Sequence, residues 1–165
     1  MAAVNPQRPA LVVFGGLPGV GKSTIAQALL AIYPALYLRI DTIEQSLRDS
    51  GVLAGDVGPA GYLAAQALAE TNLRLGHAVV ADCVNPLPVT RAAWRAVARR
   101  AQVPVVEIEV VCSDRDLHRD RVEHRDGQVP GLRPPRWASV LAHDYAPWRE
   151  PRWVIDSAAL TPAQA

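Results

Sequence analysis

The sequence is short of lysine, of cysteine and of net charge, and each shortage removes a class of function. Formal net charge is +1 with 20% charged residues, so no excess field exists to hold nucleic acid or an anionic membrane by bulk electrostatics. Eight arginines between 114 and 152 share their segment with seven carboxylates, which makes a mixed face rather than a basic stripe. Only Cys83 and Cys112 carry thiols, each at the end of an apolar run, and both read as reduced. The start, "MAAVNPQRPA", lacks the charged-then-apolar pattern of a secretory signal. No apolar run approaches the length of a membrane span, and no repeat of fixed period is present. The expectation is a cytoplasmic protein with no membrane partner. The sharpest shortage is lysine: of 17 basic residues, one is a lysine, Lys22, and the rest are arginines.

What is present is a rhythm. Short β-type apolar runs at 10–15, 35–40, 77–82, 103–111 and 152–156 alternate with amphipathic stretches near 23–32, 42–50, 60–75, 88–101, 114–125 and 135–146. Strand, helix, strand in this order means parallel strands joined by crossover helices. Runs of Val, Leu and Ile without polar alternation suit strands covered on both faces. The predicted fold is therefore α/β, a three-layer, doubly wound parallel sheet of about five strands, in one domain spanning 1–165. Gly76 is expected to close the third helix in a left-handed conformation. "DGQVPGLRPPR" (126–136) reads as a mobile surface loop, and the termini, 1–9 and 157–165, as frayed.

The most specific motif is "GLPGVGKS", Gly16 to Ser23, which satisfies G-x-x-x-x-G-K-[ST] between an apolar strand and a helical pattern. Glycines 16, 19 and 21 let the backbone turn its N–H groups inward as an anion nest, and the following helix adds its positive end. The site is built for a polyphosphate. Gly16, Leu17, Pro18, Gly19, Val20, Gly21, Lys22, Ser23 and Thr24 are the expected nucleotide contacts, with the Ser23 hydroxyl offered to Mg²⁺. Inside a cage of backbone N–H groups, Lys22 supplies a compact point charge on a thin stem between β- and γ-phosphates, where a planar guanidinium would not fit. The single lysine of an arginine-rich chain stands where arginine cannot serve.

Three further constellations sit at expected strand ends. Asp41, in "RIDTIEQSLR", ends the second run at the carboxyl edge where open α/β sheets bind ligands. It can hold an acceptor hydroxyl as general base, or cap the helix that follows. Arg48 is a candidate substrate contact on that helix. In "VVADCVNP", Asp82 can hold Mg²⁺ or contact substrate, while Asn85 and Arg91 are candidates for the substrate rim. Cys83 follows Asp82 where hydrolytic motors usually carry an acid, and no N-K-x-D is possible without a second lysine. Motors and guanine-binding switches are both disfavoured. In "SDRDLHRDRVEHRDG", Ser113 or Asp114 can cap a helix on which His118, Arg121, Val122 and Arg125 share a face. His118 alone indicates no catalytic role.

These residues together resemble the small P-loop kinases of the predicted-kinase type, relatives of polynucleotide kinase modules and of chloramphenicol phosphotransferase. The resemblance covers nearly all of 10–156. It implies a nucleoside-monophosphate-kinase-like fold, ATP and Mg²⁺, and a lid near 114–136. It implies Asp41 as the general base, and Asp82, Asn85 and Arg91 as a D-x-x-N turn with its downstream Arg. Arg121 and Arg125 would be the lid pair, one near adenine and one, assigned as Arg125, near the transferring phosphoryl. One departure matters: Glu44 stands where polynucleotide kinases often place an Arg for a nucleic-acid phosphate. The expected activity is γ-phosphoryl transfer from ATP to a hydroxyl of a small molecule. A 5′-hydroxyl kinase of nucleosides or nucleic acid, and a nucleotide-dependent regulatory module, are the alternatives.

Overall fold

All five residues of the run "LVVFG" are buried, because the strand they form has helices on both of its faces. The computed structural model describes residues 9–53, 55–124 and 129–165. In chain order the elements are β1 (Leu11–Gly15), α1 (Lys22–Ile32), β2 (Leu36–Arg39), α2 (Ile40–Asp49), α3 (Ala60–Arg74), β3 (Val79–Asp82), α4 (Pro88–Ala101), β4 (Val105–Val111), α5 (Arg115–Glu123), α6 (Trp137–Leu141) and β5 (Trp153–Asp156). The strands form one sheet in the order β2-β3-β1-β4-β5, and every pairing is parallel. This is the doubly wound α/β sheet the alternation predicts.

Alternate residues of β1 serve two cores. Leu11 and Val13 join Leu73, Trp94 and Val97, from α3 and α4, on one face. Val12 and Phe14 join Ile25, Ala26 and Tyr33, from α1 and its end, on the other. The third helix closes as expected: Gly76 has φ 89°, its N–H bonds the Leu73 carbonyl, and the His77 N–H bonds that of Asn72. That pair of bonds is the Schellman arrangement, which glycine's freedom at positive φ permits.

Four expectations need correction. The helix expected over 135–146 is only Trp137–Leu141, because the chain beyond it is held open by long-range bonds. The Ala146 N–H bonds the Pro86 carbonyl, and the Ala146 and Pro147 carbonyls accept from Arg91. The tail is not frayed over 157–162. Ser157 N–H bonds the Val111 carbonyl, and Asp156 Oδ1 accepts from the N–H groups of Ser113 and Ala158 at 3.0 Å each. Those bonds hold the Asp156 carboxyl below its usual pKa. Residues 1–8 of the other terminus lie outside the described residues. β4 is not apolar throughout, since Glu107 and Glu109 are buried. Glu107 takes two bonds from Arg95, and Glu109 pairs with Arg152 at 2.6 Å, so each buried charge has a partner. Finally, Asp41 is not a cap. α2 starts directly after β2 with Arg39 in the cap position, which leaves Asp41 in the first turn, where its charge faces the helix's positive end.

Candidate active site

The loop between β1 and α1 takes the conformation its glycines predict. Gly16, Gly19 and Gly21 have φ of 136°, 86° and 92°. At two of them space adds to conformation: a Cβ on Gly16 would meet the Val110 carbonyl oxygen, and one on Gly19 would meet a methyl of Val122. The loop is thus pressed against β4 and α5. His118 completes that contact, since its Nε2 donates to the Pro18 carbonyl at 2.8 Å while its ring meets Trp137 edge-on at 5.0 Å. A histidine without a catalytic role therefore has a positioning one, joining the expected lid helix to the phosphate loop. Asp114 caps α5 by accepting from the Leu117 N–H. Lys22, buried at the head of α1, donates to the Leu17 carbonyl at 2.9 Å across the loop.

Asp82 is the hub of the site. It is 3% exposed, and its Oδ2 accepts from Ser23 Oγ and from the Tyr37 hydroxyl, each at 2.6 Å. Burial, then the Asp82 charge, pushes the Tyr37 phenol pKa up, so it stays a neutral donor. Arg39 stands opposite Asp82 in the β2–β3 register. Its guanidinium lies 3.7 Å from Asp41 and 4.0 Å from Asp82, yet its Nε and Nη2 are buried without a hydrogen bond. Tyr37 and Arg39 are site residues that sequence reasoning missed. The available signal was two polar residues at i and i+2 in a strand that should otherwise be apolar.

Ser23 and Asp82 also pass a test for Mg²⁺. They present touching hard oxygens at the phosphate loop, and no cluster of three His, Cys, Asp or Glu able to cage a metal exists among the described residues. A cation held by one or two protein oxygens, completed by phosphate and water, is the usual Mg²⁺ arrangement.

The structure separates the other candidates. Asp41 and Asp82 share one cleft of about 750 Å³ with Lys22, Ser23, Thr24 and Arg121. Arg121 bonds Ser157 Oγ at 2.8 Å and the Ser157 carbonyl at 3.3 Å, so α5 and the tail turn form a single wall. Residues 157–162, which sequence reasoning set aside, line that wall. Arg48 does not join the cleft: it pairs with Glu44 one helical turn away at 3.3 Å. Glu44 is packed over Gly61 of α3, and burial, ahead of the Arg48 charge, raises its carboxyl pKa. Arg91 is not on a rim. It is fully buried, donates to the carbonyls of Asn85, Pro86, Ala146 and Pro147, and lies 4.1 Å over the Trp148 ring. It clamps the chain around α4. Asn85 is also fully buried, at φ 50°, with its N–H on the Tyr62 hydroxyl and its side-chain amide unbonded. Arg125 lies outside the described residues. The loop over 129–136 is irregular as expected, but it has an apolar anchor in buried Val129.

A family described as AAA domain matches residues 11–133, and the chain belongs to that family. An uncharacterized protein of Mycobacterium tuberculosis and one of Mycobacterium bovis are each 32% identical over 130 residues, covering 71% of this chain and 26% of theirs. The chain thus spans about a quarter of the length of the curated relatives it matches. Among solved structures, a kinase candidate of Chloroflexus aurantiacus superposes with TM-score 0.72 at 23% identity, covering 92% of this chain and 89% of that one. The Mycobacterium tuberculosis APS kinase, in complex with AMPPNP and APS, gives TM-score 0.64 at 23% identity, covering 96% and 93%. A gluconokinase of Sinorhizobium meliloti gives 0.62 at 17% identity, covering 95% and 87%. The fold is that of the P-loop kinases. No described helix is long and apolar enough to cross a membrane.

Proposed function

We propose that this chain is a phosphotransferase that moves the γ-phosphoryl group of ATP to a hydroxyl of a small molecule. The observation that carries this reading is the Ser23–Asp82 bond of 2.6 Å, set at the mouth of the phosphate loop in the cleft that also holds Asp41. Nucleotide-loop, metal-binding and acceptor-activating groups meet in one place. The AMPPNP and APS of the mycobacterial APS kinase support ATP as donor and a small molecule as acceptor.

The loop's inward N–H groups hold the phosphates, and Lys22 exchanges its Leu17 partner for β- and γ-phosphate oxygens. Ser23 and Asp82 would hold Mg²⁺, which when bound neutralises phosphate charge. Asp41 accepts the proton of the acceptor hydroxyl as the new O–P bond forms and the bond from the γ-phosphorus to the β–γ bridging oxygen breaks, releasing ADP. Arg39 lies behind both carboxylates, 3.7 Å from Asp41 and 4.0 Å from Asp82, and fixes their placement relative to each other. Arg121 and the 157–162 turn wall the base side of the nucleotide, and Arg125, outside the described residues, is assigned by its place in the sequence to charge on the transferring phosphoryl. Closure of the lid, 114–136, excludes water that would otherwise take the phosphoryl group. Asn85, behind the acceptor side, shapes the turn after Asp82. ATP as donor and two free thiols suit a cytoplasmic setting.

ATP consumption with and without a pool of hydroxyl metabolites tests the reading. Turnover that rises with acceptor, with phosphoester as product, supports it. ATP bound but not turned over under any condition would make the chain a nucleotide-dependent regulatory module. Glu44, paired with Arg48 and packed over Gly61, puts a carboxylate where polynucleotide kinases often place an Arg for a nucleic-acid phosphate, so 5′-hydroxyl oligonucleotides should label poorly.

A further inference from the structure

The cleft changes material along its length. At the phosphate end its walls are Lys22, Ser23, Thr24, Arg121 and Ser157. Along the 129–135 loop they become Val129, Leu132, Pro134 and Pro135, with Arg133 as the one cation of that stretch among the described residues. The 129–135 loop reaches α2, where Gly131 at φ 81° leaves room for the Gln45 amide and the Asp49 carboxylate. Gln45 is itself committed to Asp49 at 2.7 Å. The apolar stretch therefore lies on the Asp41 side of the cleft, where an acceptor hydroxyl must arrive.

Such a wall suits few alcohols. Prolines lack an N–H, and aliphatic side chains offer neither donor nor acceptor, so each hydroxyl of a sugar brought against them loses its water partners. That loss costs about tenfold to a hundredfold in affinity per hydroxyl. An apolar or flat aromatic body gains from the same wall. Arg133 is exposed at the mouth, with no ion-pair partner among the described residues, and a guanidinium pairs two-pronged with a carboxylate or phosphate. Resting on the phosphotransferase reading, we infer that the acceptor is an alcohol with an apolar body and one anionic group remote from the reacting hydroxyl, and that Arg133 reads the anion.

The test is a matched set of alcohols offered with Mg-ATP to the whole chain, with ADP and phosphoester measured together. The set is 4-(hydroxymethyl)benzoate, 4-(hydroxymethyl)phenyl phosphate, benzyl alcohol, gluconate and glucose. We expect at least one aromatic anion to exceed benzyl alcohol about tenfold in kcat/KM, the better of the two naming the anion, and both polyols to fall below benzyl alcohol. Arg133→Gln should bring the anion-to-neutral ratio near one, and Arg133→Lys should restore part of it. Ester from gluconate or glucose alone overturns the inference and leaves the phosphotransferase reading standing. So does an anion-to-neutral ratio that Arg133→Gln leaves unchanged. Intact bound ATP with no ester from any of the five also overturns the acceptor class. Failure to bind ATP, or release of inorganic phosphate at one rate with every alcohol, would instead remove the phosphotransferase reading itself.

Discussion

The two ends of the cleft are made differently. The proposed phosphate end rests on one contiguous loop, of which Pro18, Gly19 and Gly21 to Thr24 line the cleft, and its glycines, lysine and hydroxyls are each assigned one narrow task. The proposed acceptor end is gathered from α2, the turn after β3 and the 129–135 loop, and its lining is mostly aliphatic. Phosphate is a fixed, strongly charged target that one rigid nest can meet. An acceptor differs from enzyme to enzyme, and surface loops on a rigid sheet are where such variation is carried.

The largest effect should come from the phosphate end. Lys22→Arg keeps the charge but not the shape, and should lower kcat by about 10³-fold or more, the scale of losing a principal transition-state contact. Steady-state phosphoryl transfer checks this. A near wild-type rate would mean that the nest is less exacting than its geometry indicates. Next comes a residue between the two ends that belongs to neither. Arg91→Leu takes the guanidinium donor from the carbonyls of Asn85, Ala146 and Pro147, and one of two donors from that of Pro86, and should cost on the order of 3 kcal/mol or more in urea unfolding. A raised acceptor KM with unchanged stability would return Arg91 to the substrate rim.

A smaller effect should come from the acceptor end. Asp41→Asn removes the proton acceptor and should lower kcat by roughly 10²-fold. As a half-exposed charge in the first turn of α2, it should change stability by less than about 1 kcal/mol. A large loss of stability with activity intact would make Asp41 structural. The smallest effect is expected for Arg48→Ala, which removes one exposed helix pair and should shift stability by less than about 0.5 kcal/mol, with kinetics unchanged. Any acceptor-specific rise in KM would extend the site along α2.

The same contrast governs what was legible in the sequence. The phosphate loop is contiguous, so spacing alone named its residues, and the buried strands declared themselves by unbroken apolar runs. Asp41 and Asp82 were legible because strand ends in such sheets point at ligands. Arg91 was not, because an arginine on a helix looks like surface until the carbonyls of Ala146 and Pro147, 55 and 56 residues away, are brought to it. Tyr37 and Arg39 were hidden by an apolar context, and their meaning depends on Asp82 in a neighbouring strand. The 157–162 turn has no motif at all. It enters the cleft because Asp156 and Arg121 hold it there, and neither bond leaves a mark in local composition.

In the proposed mechanism the phosphate loop and Asp41 act on one phosphoryl group. Its most direct test follows the γ-phosphorus by ³¹P resonance in Mg-ATP with an accepted alcohol, comparing wild type with Asp41→Asn. Wild type should move the signal into a phosphoester with ADP in equal amount, and the variant should still bind ATP while forming ester roughly 10²-fold more slowly. Inorganic phosphate as the main product, formed at the same rate by both proteins and indifferent to the alcohol, would contradict it.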